Sequence, residues 1–507
     1  MNNNRVGGGI MRSNKMSWLA LVLSVTLIVC GGCRAEKLDG DDSITLRVLS
    51  NAGISVSSAY GMDYEIKRLI GEYEATHENV TIELEFLPAS GEERETRIEQ
   101  LRTEIMAGNG TDIYLMSPYK LEQVGYNSYQ TELDKGLFPN VEQSMHNGLF
   151  YDVSTLYDAD GELNIQELAT SVMNAGVIDE ARYMLPLRYT YPVICADKEA
   201  LEKSGTDVEA MKSDLNGYFG ELLEHGDASW FNGASQLVIT MDPFYLFPKL
   251  IDYESGNVLL TAEELVEFTR QCWELTDRCE RILSVPGAST YVQMGWFPLS
   301  YPDLEDGEVD LWESMRAPLC MGGLSTAVSA AAIARAEGVE LEMFPLRSAD
   351  GSLVAEITWW GAVGAGCEHP ETAYDFLRLM LLPETQWELE RPTGGGTTAV
   401  SGLFGSGWPV RVAGSVEPLW NELKAQLGNS GTGDKQITAR RQALQSIALT
   451  DDDILPLLTA QVDAARVPMV EGSEWSSVLT NRSEYEENVD VLARGLIDSL
   501  RWHVTEG

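Results

Sequence analysis

Aromatic side chains stand at the ends of predicted strands, where their rings could contact a bound molecule. Tyr119 follows the apolar segment TDIYLM, Tyr189 and Tyr191 lie in LPLRYTYP, and a Trp359-Trp360 pair lies in a later strand. In α/β sheets, ligands bind beyond the carboxyl ends of the strands. Aromatic faces there stack on sugar rings, while amides and hydroxyls fix the orientation. Each aromatic alone is better explained as core, and their shared placement at strand ends makes a sugar-type binding site an equal alternative.

Motifs that would indicate catalysis or a cofactor are missing from the sequence. It contains no G-x-S-x-G, P-loop, H-E-x-x-H or paired C-x-x-C motif. The segment DADGELN (158–164) begins like a calcium loop, but Leu163 and Ala169 stand where an EF-hand needs Gly and Glu. The glycines of GAVGAG (361–366) lack the dinucleotide spacing and predict tight strand-to-helix packing. We therefore expect no catalytic residue, no metal and no cofactor.

The elements that would position these residues alternate regularly at the start of the chain. Apolar residues alternate in ITLRVLS (44–50) and in VTIELEF (80–86), and TDIYLM (111–116) is a third short strand. Helical patterns separate them, with apolar residues repeating on one face near residues 66–73 and 98–105. A βαβαβ order of this length predicts a parallel sheet with right-handed crossovers. Helices dominate from residue 213 to 309 and again after residue 416.

The amino-terminal segment predicts export and a lipid anchor. Residues 18–29 are apolar, which is shorter than the ~20 residues of a spanning helix but suits a secretory signal after basic residues. Gly31 and Gly32 precede Cys33, which resembles a bacterial lipobox with Cys30 at the position usually taken by Leu. One acyl chain binds membranes only marginally, whereas the diacylglycerol of a lipoprotein supplies a second chain. We expect a signal peptide at 1–32 and a linker at 33–43. The alternative is ordinary secretion with Cys33 incidental.

Charge and composition exclude several classes of partner. The chain has 507 residues, of which 44% are hydrophobic, so it can bury a sizeable core in two or three domains. Its formal net charge of -42 repels nucleic acid and anionic lipid. Membrane contact is therefore expected through the anchor alone. With Cys33 lipidated, five cysteines remain after the signal, an odd number that argues against a disulfide framework.

The chain resembles the family 1 extracellular solute-binding proteins of bacterial ABC importers, which include the maltose-type binding proteins. The resemblance is carried by the lipobox, ITLRVLSNAG, EQLRTEIMAGNGTDIYLM, GVIDEARYMLPLRYTYPVICADKEAL and EITWWGAVGAGCEHPETAYDFLRLML. It implies a periplasmic-binding-protein-like α/β fold with two lobes, hinge strands and a ligand cleft between the lobes. It also implies a monomer without enzymatic activity, which captures a solute outside the cell and delivers it to ABC permease subunits. The anchor would hold it at the outer face of the bacterial cytoplasmic membrane.

The resemblance also implies lobe boundaries and site residues. The first lobe would comprise residues 44–187 and 360–414, and the second 188–359 and 415–507. The chain would cross between lobes near Leu187–Thr190 and Ile357–Trp360. The expected ligand contacts are Ser50, Asn51, Gly53, Ser117, Tyr119, Arg188, Tyr189, Gly322, Gly323 and Trp359.

The sequence leaves the solute and some alternatives open. The aromatic residues favour a sugar or oligosaccharide, but Arg188 would equally suit a carboxylate-bearing solute or a peptide. A surface-anchored glycosidase or peptidase would need a carboxylate pair or an activated nucleophile, and the expected contacts contain no Asp, Glu, His or Cys. A solute sensor that is not linked to transport would have the same sequence features as an importer subunit.

Overall fold

The computed structural model describes most of the chain from Ser43 onward. The described residues are 43–51, 62–88, 91–125, 128–133, 136–225, 247, 249–253, 255–280, 320–321, 324–387, 407–412, 416–417, 420–421, 442–469, 475, 477–479 and 481–505. The chain forms two compact units, Met1–Ser43 and Ile44–Gly507. The account below concerns the second unit.

The strands of this unit are grouped in one large sheet, one smaller sheet and three two-stranded pairs. In chain order they are β1 (Ile44–Ser50), β2 (Val80–Phe86), β3 (Ile113–Met116), β4 (Tyr119–Gly125), β5 (Ser128–Leu133), β6 (Val177–Ile178), β7 (Ala181–Arg182), β8 (Leu185–Thr190), β9 (Pro192–Asp197), β10 (Ile251–Asp252), β11 (Asn257–Val258), β12 (Cys320–Met321), β13 (Leu341–Pro345), β14 (Val354–Val363), β15 (Trp408–Pro409) and β16 (Ala464–Arg466).

Helices connect and cover the strands. The α-helices are α1 (Met62–Thr76), α2 (Gly91–Met106), α3 (Val141–His146), α4 (Ser154–Asp158), α5 (Thr170–Met173), α6 (Lys198–Ser204), α7 (Val208–Ser213), α8 (Leu215–His225), α9 (Ala262–Glu280), α10 (Leu324–Glu337), α11 (Pro370–Arg378), α12 (Pro383–Trp387), α13 (Leu455–Leu458), α14 (Arg482–Tyr485) and α15 (Val489–Thr505). Among the residues placed by the structure, none of these helices has the length and apolar character of a membrane span.

The large sheet has the strand order β15-β8-β14-β3-β1-β2, and β16 pairs with β14. Strand β1 is parallel to both β2 and β3, as the βαβαβ pattern predicts. Strand β14 is antiparallel to β3 and β8, and all ten of its residues are buried. A strand covered on both faces needs a nearly continuous apolar sequence, which VAEITWWGAV supplies apart from Glu356 and Thr358.

The smaller sheet has the order β12-β9-β13, and within the described residues two short segments lead directly between its strands and those of the large sheet. Strands β8 and β9 are separated only by Tyr191, yet they belong to different sheets. The chain returns from β13 to β14 through residues 346–353. This α/β arrangement of two sheets joined by strands confirms the predicted fold class.

Both predicted crossing positions lie within strands of the large sheet. Residues 187–190 belong to β8 and residues 357–360 to β14, so both segments lie in the large sheet. The predicted lobe boundaries at 187/188 and 359/360 therefore cut through paired strands. Residues 464–466 were assigned to the second lobe, but as β16 they pair with β14. The strand pairing was missed because it joins distant segments that no local pattern connects.

Three groups of buried apolar residues form the cores. The largest surrounds the large sheet and includes Val48, Leu115 and Trp360. A second joins β9, α8 and α9 to residues near the carboxyl terminus, including Trp273 and Trp475. A third packs Leu250, Ile251 and Leu260 against Ile497 and Leu500 of α15. The carboxyl-terminal helix therefore packs with the smaller sheet's side of the molecule.

The glycine-rich turn after β14 packs closely, as the sequence predicted. A Cβ added at Gly364 would lie 2.2 Å from the Thr111 carbonyl oxygen, and one at Gly366 would lie 2.6 Å from that of Gly108. No side chain fits at such distances. These glycines bring the end of β14 against the loop that precedes β3.

Candidate functional site

The ends of β1 and β3 are joined by one side-chain amide. Asn51 Nδ2 donates to the Ser117 carbonyl oxygen at 2.6 Å, and the Ser117 amide donates to Asn51 Oδ1 at 2.8 Å. The Ser50 carbonyl accepts from the Leu87 amide at 2.9 Å. Three expected contact residues, Ser50, Asn51 and Ser117, thus lie together at one edge of the large sheet. The Asn51 amide fixes this edge by bonding to the protein backbone.

Beyond this edge, β8 and β14 continue as a paired ribbon. Met116, the last residue of β3, pairs with Trp360, and Trp360 pairs with Pro186. Residues 188–190 of β8 and 354–359 of β14 therefore extend past the end of β3. We call these residues the ribbon. Strands β15 and β16 flank it. The expected contacts Arg188, Tyr189 and Trp359 all lie in the ribbon, close to the edge that carries Asn51 and Ser117.

The ribbon has two faces, and they divide the expected contacts. Consecutive strand residues point to opposite faces. Regular pairing of Glu356 with Thr190, and of Trp360 with Pro186, places even-numbered residues of both strands on one face. Between these two residue pairs the register of β8 and β14 is irregular, and Trp359 is the partner of Arg188. We call the face with Arg188, Glu356 and Thr358 the polar face.

The opposite face, the aromatic face, carries Tyr189 and Trp359. Trp408 pairs with Tyr189 and lies on this face too. Arg188 and Tyr189 are consecutive residues of β8 and therefore point to opposite faces of the ribbon. The expected ligand contacts at Arg188, Tyr189 and Trp359 stay predictions.

The aromatic face is filled by protein. The rings of Tyr189 and Tyr191 lie 6.1 Å apart, and Tyr191 stacks on Trp408 at 5.2 Å with an interplanar angle of 6°. Tyr191 donates its hydroxyl hydrogen to the Leu457 carbonyl at 2.9 Å. All three rings are buried, and burial raises the pKa of the Tyr189 and Tyr191 hydroxyls. The rings pack on one another, so this face resembles core more than an open binding surface. Trp408 Nε1 has no hydrogen-bond partner within the described residues.

The polar face carries buried polar atoms that lack protein partners. Arg188 is 5% exposed, and its Nη2 donates to the Gln386 carbonyl at 2.6 Å. Its Nε has no hydrogen-bond partner within the described part of the chain, and neither has Thr358 Oγ1. Burial lowers the pKa of Arg188 to about 10, so the guanidinium remains charged at neutral pH.

Gly407 lies over the polar face at a position where no side chain fits. An added Cβ would lie 3.0 Å from Thr358 Oγ1, 3.1 Å from the Tyr189 carbonyl oxygen and 3.4 Å from the Cβ of Arg188. The Thr358 hydroxyl and the Cβ of Arg188 therefore both lie close to Gly407.

Gln386 fixes helix α12 to the ribbon. Its Nε2 donates to the carbonyl oxygens of Leu187, at 3.1 Å, and Met380, at 2.6 Å. Its Oε1 accepts from the Val410 amide at 2.9 Å. This buried amide thus joins β8, α12 and the segment after β15, and it holds the carbonyl that binds Arg188.

The sequence analysis missed Glu356, Thr358, Gln386 and Gly407. Glu356 and Thr358 could have been predicted as site residues, because they are polar residues at alternate positions of an otherwise apolar strand. Gln386 and Gly407 could not, since their partners are distant in sequence.

Several expected positions lie outside what the structure describes. These are Cys33, Gly53, Gly322 and Gly323. Tyr119 begins β4, and its side chain is also outside the described part. These five positions stay predictions.

The calcium-like loop is a turn held by protein donors. Asp160 Oδ1 accepts from the amides of Glu162 and Leu163, each at 3.0 Å, and its Oδ2 accepts from the Tyr374 hydroxyl at 3.0 Å. Arg378 Nη1 lies 3.9 Å from Asp160 Oδ1. Within the described ranges, no three acidic, His or Cys side chains are grouped as a metal site would require.

Comparison with known proteins gives one family match. Residues 68–401 match the family described as bacterial extracellular solute-binding protein. A search of curated proteins found no match.

Solved structures of similar fold include three solute-binding proteins. An extracellular solute-binding protein family 1 from Alicyclobacillus acidocaldarius is 14% identical over 92% of this chain and 100% of that one, with a TM-score of 0.48. A periplasmic oligogalacturonide binding protein from Yersinia enterocolitica is 12% identical over 91% and 99%, with a TM-score of 0.47. A cyclic alpha-maltosyl-1,6-maltose binding protein from Arthrobacter globiformis is 12% identical over 92% and 100%, with a TM-score of 0.46.

Proposed function

Because this chain belongs to the bacterial extracellular solute-binding proteins, we propose that it is the substrate-binding lipoprotein of an ABC importer. It captures a sugar or oligosaccharide outside the cell and delivers it to permease subunits in the membrane. It acts as a monomer, and the lipid on Cys33 is its contact with the membrane.

The observation that carries this proposal is the pair of chain passages between two sheets. One passage is Tyr191 and the other is residues 346–353, and both lead directly into the ribbon. The chain passes once more after β16, because the following residues return to the core around the smaller sheet. Domains joined by such segments can close around a ligand with backbone changes confined to those segments. We propose two lobes that meet at these passages, with the solute between them.

The proposed solute contacts are grouped around the polar face. Arg188 supplies hydrogen-bond donors, Thr358 can donate and accept, and Glu356 is a fully buried acceptor. Such a mixture of donors and acceptors suits the hydroxyl groups of a sugar. Ser50, Asn51 and Ser117 form the adjoining edge, and Gly53, Tyr119, Gly322 and Gly323 remain proposed contacts. We assign Tyr189 and Trp359 to core packing on the aromatic face.

A thermal-shift screen tests the proposed binding function. The probes are neutral and acidic mono- and oligosaccharides, together with di- and tripeptides as the competing class. A ligand that binds only the native state stabilises it by ~2.7 kcal/mol at a hundredfold excess over Kd. Product analysis of the same mixtures should show intact sugar. Stabilisation by peptides alone would contradict the sugar assignment, and hydrolysis would favour the glycosidase or peptidase alternative.

The anchor is tested separately from binding. Mass spectrometry of the protein from membranes should show a diacylglycerol-modified Cys33 as the first residue. The variant Cys33→Ala should leave the membrane fraction and retain solute binding, because the anchor precedes the folded unit. An unmodified first residue elsewhere in the chain would contradict the lipoprotein assignment. Co-purification of solute-loaded protein with permease subunits separates transport from sensing.

A further inference from the structure

Arg188 is a buried cation without a carboxylate partner in the described part of the chain. No ion pair within 4.0 Å involves it there, and the lowering of its pKa to about 10 comes from burial alone. Removing a charge from water without a compensating partner costs several kcal/mol. A protein retains such a group where something else supplies the opposite charge.

Arg411 shows how this fold treats another buried guanidinium. It is 1% exposed, and its Nη1 pairs with Glu167 Oε2 at 2.5 Å. Its Nε and Nη2 donate to the carbonyls of Leu381, at 3.0 Å, and Leu163, at 2.6 Å. Both arginines are therefore buried and bonded to carbonyl groups, but the carboxylate present beside Arg411 has no described counterpart beside Arg188.

Glu356 is a buried carboxylate on the same face of the ribbon. Glu356 is fully buried and pairs in register with Arg466 of β16 and with Thr190 of β8. It makes no ion pair within 4.0 Å with Arg188. Thr358 stands between Glu356 and Trp360 on the polar face and provides the second atom without a partner, Oγ1.

We propose that the solute carries a carboxylate which pairs with Arg188 Nε and with the Thr358 hydroxyl, so that the ligand is an acidic sugar of the hexuronate class. The sugar part of this statement rests on the proposed function, and the carboxylate part rests on Arg188 and Thr358. The Nε–H of Arg188 can only donate, and a hydroxyl can donate as well. A carboxylate accepts from both, and it neutralises the guanidinium in a site from which water is excluded.

Titration calorimetry with matched sugars tests the proposal. The ligands are galacturonate and glucuronate, with their α-1,4-linked oligomers, and the neutral controls are galactose, glucose and the corresponding neutral oligomers. Sodium sulfate at the same ionic strength tests for simple anion binding. We expect the wild-type protein to bind at least one acidic sugar and to bind its neutral counterpart at least about a hundredfold more weakly.

Two variants separate binding from folding. Arg188→Met should lose about a hundredfold in affinity for the acidic sugar, and Thr358→Val, which keeps the side-chain shape, should lose about tenfold. Thr358→Val removes a buried hydroxyl that has no partner in the described part of the chain, so it should not lower the melting temperature of the ligand-free protein. Arg188→Met also removes the hydrogen bond to the Gln386 carbonyl and should lower the melting temperature, so its affinity is measured on the folded fraction. The matched control is Arg411→Met, which loses an ion pair. It should lower the melting temperature and leave the ratio of acidic to neutral affinity unchanged.

The outcomes distinguish this inference from the proposed function. Equal binding of acidic and neutral sugars would overturn the carboxylate assignment and leave a sugar-binding importer subunit in place. Failure of every sugar would overturn both. Sulfate binding as tight as uronate binding, or a variant Arg188→Met that is destabilised with unchanged uronate affinity, would overturn the carboxylate assignment. Selective loss of uronate binding in the folded fraction of Arg188→Met and in Thr358→Val, with the melting temperature of Thr358→Val maintained, would support it.

Discussion

Glu142 is a partly buried carboxylate whose surroundings come from distant parts of the chain. It lies in α3, and the cations that act on it are Lys249 and Arg466, with Asp252 as the opposing charge. At the start of the same helix, Asn140 Nδ2 donates to the Tyr253 hydroxyl. Burial outweighs the two cations and raises the pKa of Glu142 from 4.5 to about 7. This carboxyl therefore holds its proton in the folded state at a pH where the unfolded chain has released it.

The raised pKa of Glu142 predicts a pH-dependent stability. A folded-state pKa above the unfolded value contributes stability that is complete below pH 4.5 and is lost as the pH rises through about 7. The variant Glu142→Gln should abolish this part of the slope between pH 4.5 and 7, and it should be more stable than the wild type at pH 8. Chemical denaturation across this pH range measures it. Glu83→Gln, at an exposed strand position, is the control, and parallel curves for wild type and Glu142→Gln would contradict the prediction.

Trp360 should act as a core residue. It is 2% exposed, and its ring lies 5.8 Å from that of Phe138 and 5.7 Å from that of Phe150. We expect Trp360→Ala to lower the free energy of unfolding by ~3–5 kcal/mol. Solute affinity of the folded fraction should not change. Trp359→Ala should behave in the same way, because Trp359 lies on the aromatic face. A loss of affinity in Trp359→Ala at unchanged stability would show that the solute binds to the aromatic face.

At the scale of elements, local pattern was sufficient for the βαβαβ segment and insufficient for the ribbon. Strands β1, β2 and β3 were predicted because an alternating or short continuous apolar run indicates a strand, whichever strand it pairs with in the sheet. The short strands β15 and β16 are two and three residues long and have no pattern of their own. The assignment of Arg188 and Tyr189 to one cleft did not take into account that consecutive strand residues point to opposite faces. The sequence therefore predicted the position of the ribbon but not which residues lie on each of its faces.

Helix α12 should depend on a single amide for its attachment. Gln386→Ala would leave the Leu187 carbonyl and the Val410 amide without their present partner in a buried region. We expect a loss of at least about 1–3 kcal/mol in the free energy of unfolding. Reduced solute affinity should accompany it, because the carbonyl that orients Arg188 shifts. Glu384→Ala, at an exposed position of the same helix, is the control. Unchanged stability in Gln386→Ala would show that α12 is held by its apolar contacts.

At the scale of the whole molecule, the two passages between the sheets predict a change of shape on binding. Small-angle scattering with a solute identified by the thermal-shift screen should give a smaller radius of gyration than the free protein. The reason is that Tyr191 and residues 346–353 can absorb a rotation of one sheet relative to the other. A sugar that causes no thermal shift is the control. Identical scattering curves at saturating solute would contradict hinge closure.

The position of β14 between β3 and β8 also affects how the chain is made. Strand β3 ends at Met116, and its partner β14 begins only at Val354. At translation rates of ~5–20 residues per second, β3 waits ~10–50 s for this partner. During that time its open edge can pair with other chains, and pairing between such distant segments is slow even once both are present. Newly made protein should therefore depend on chaperones until the ribbon has been synthesised, and truncation before residue 354 should yield aggregates rather than a folded first lobe.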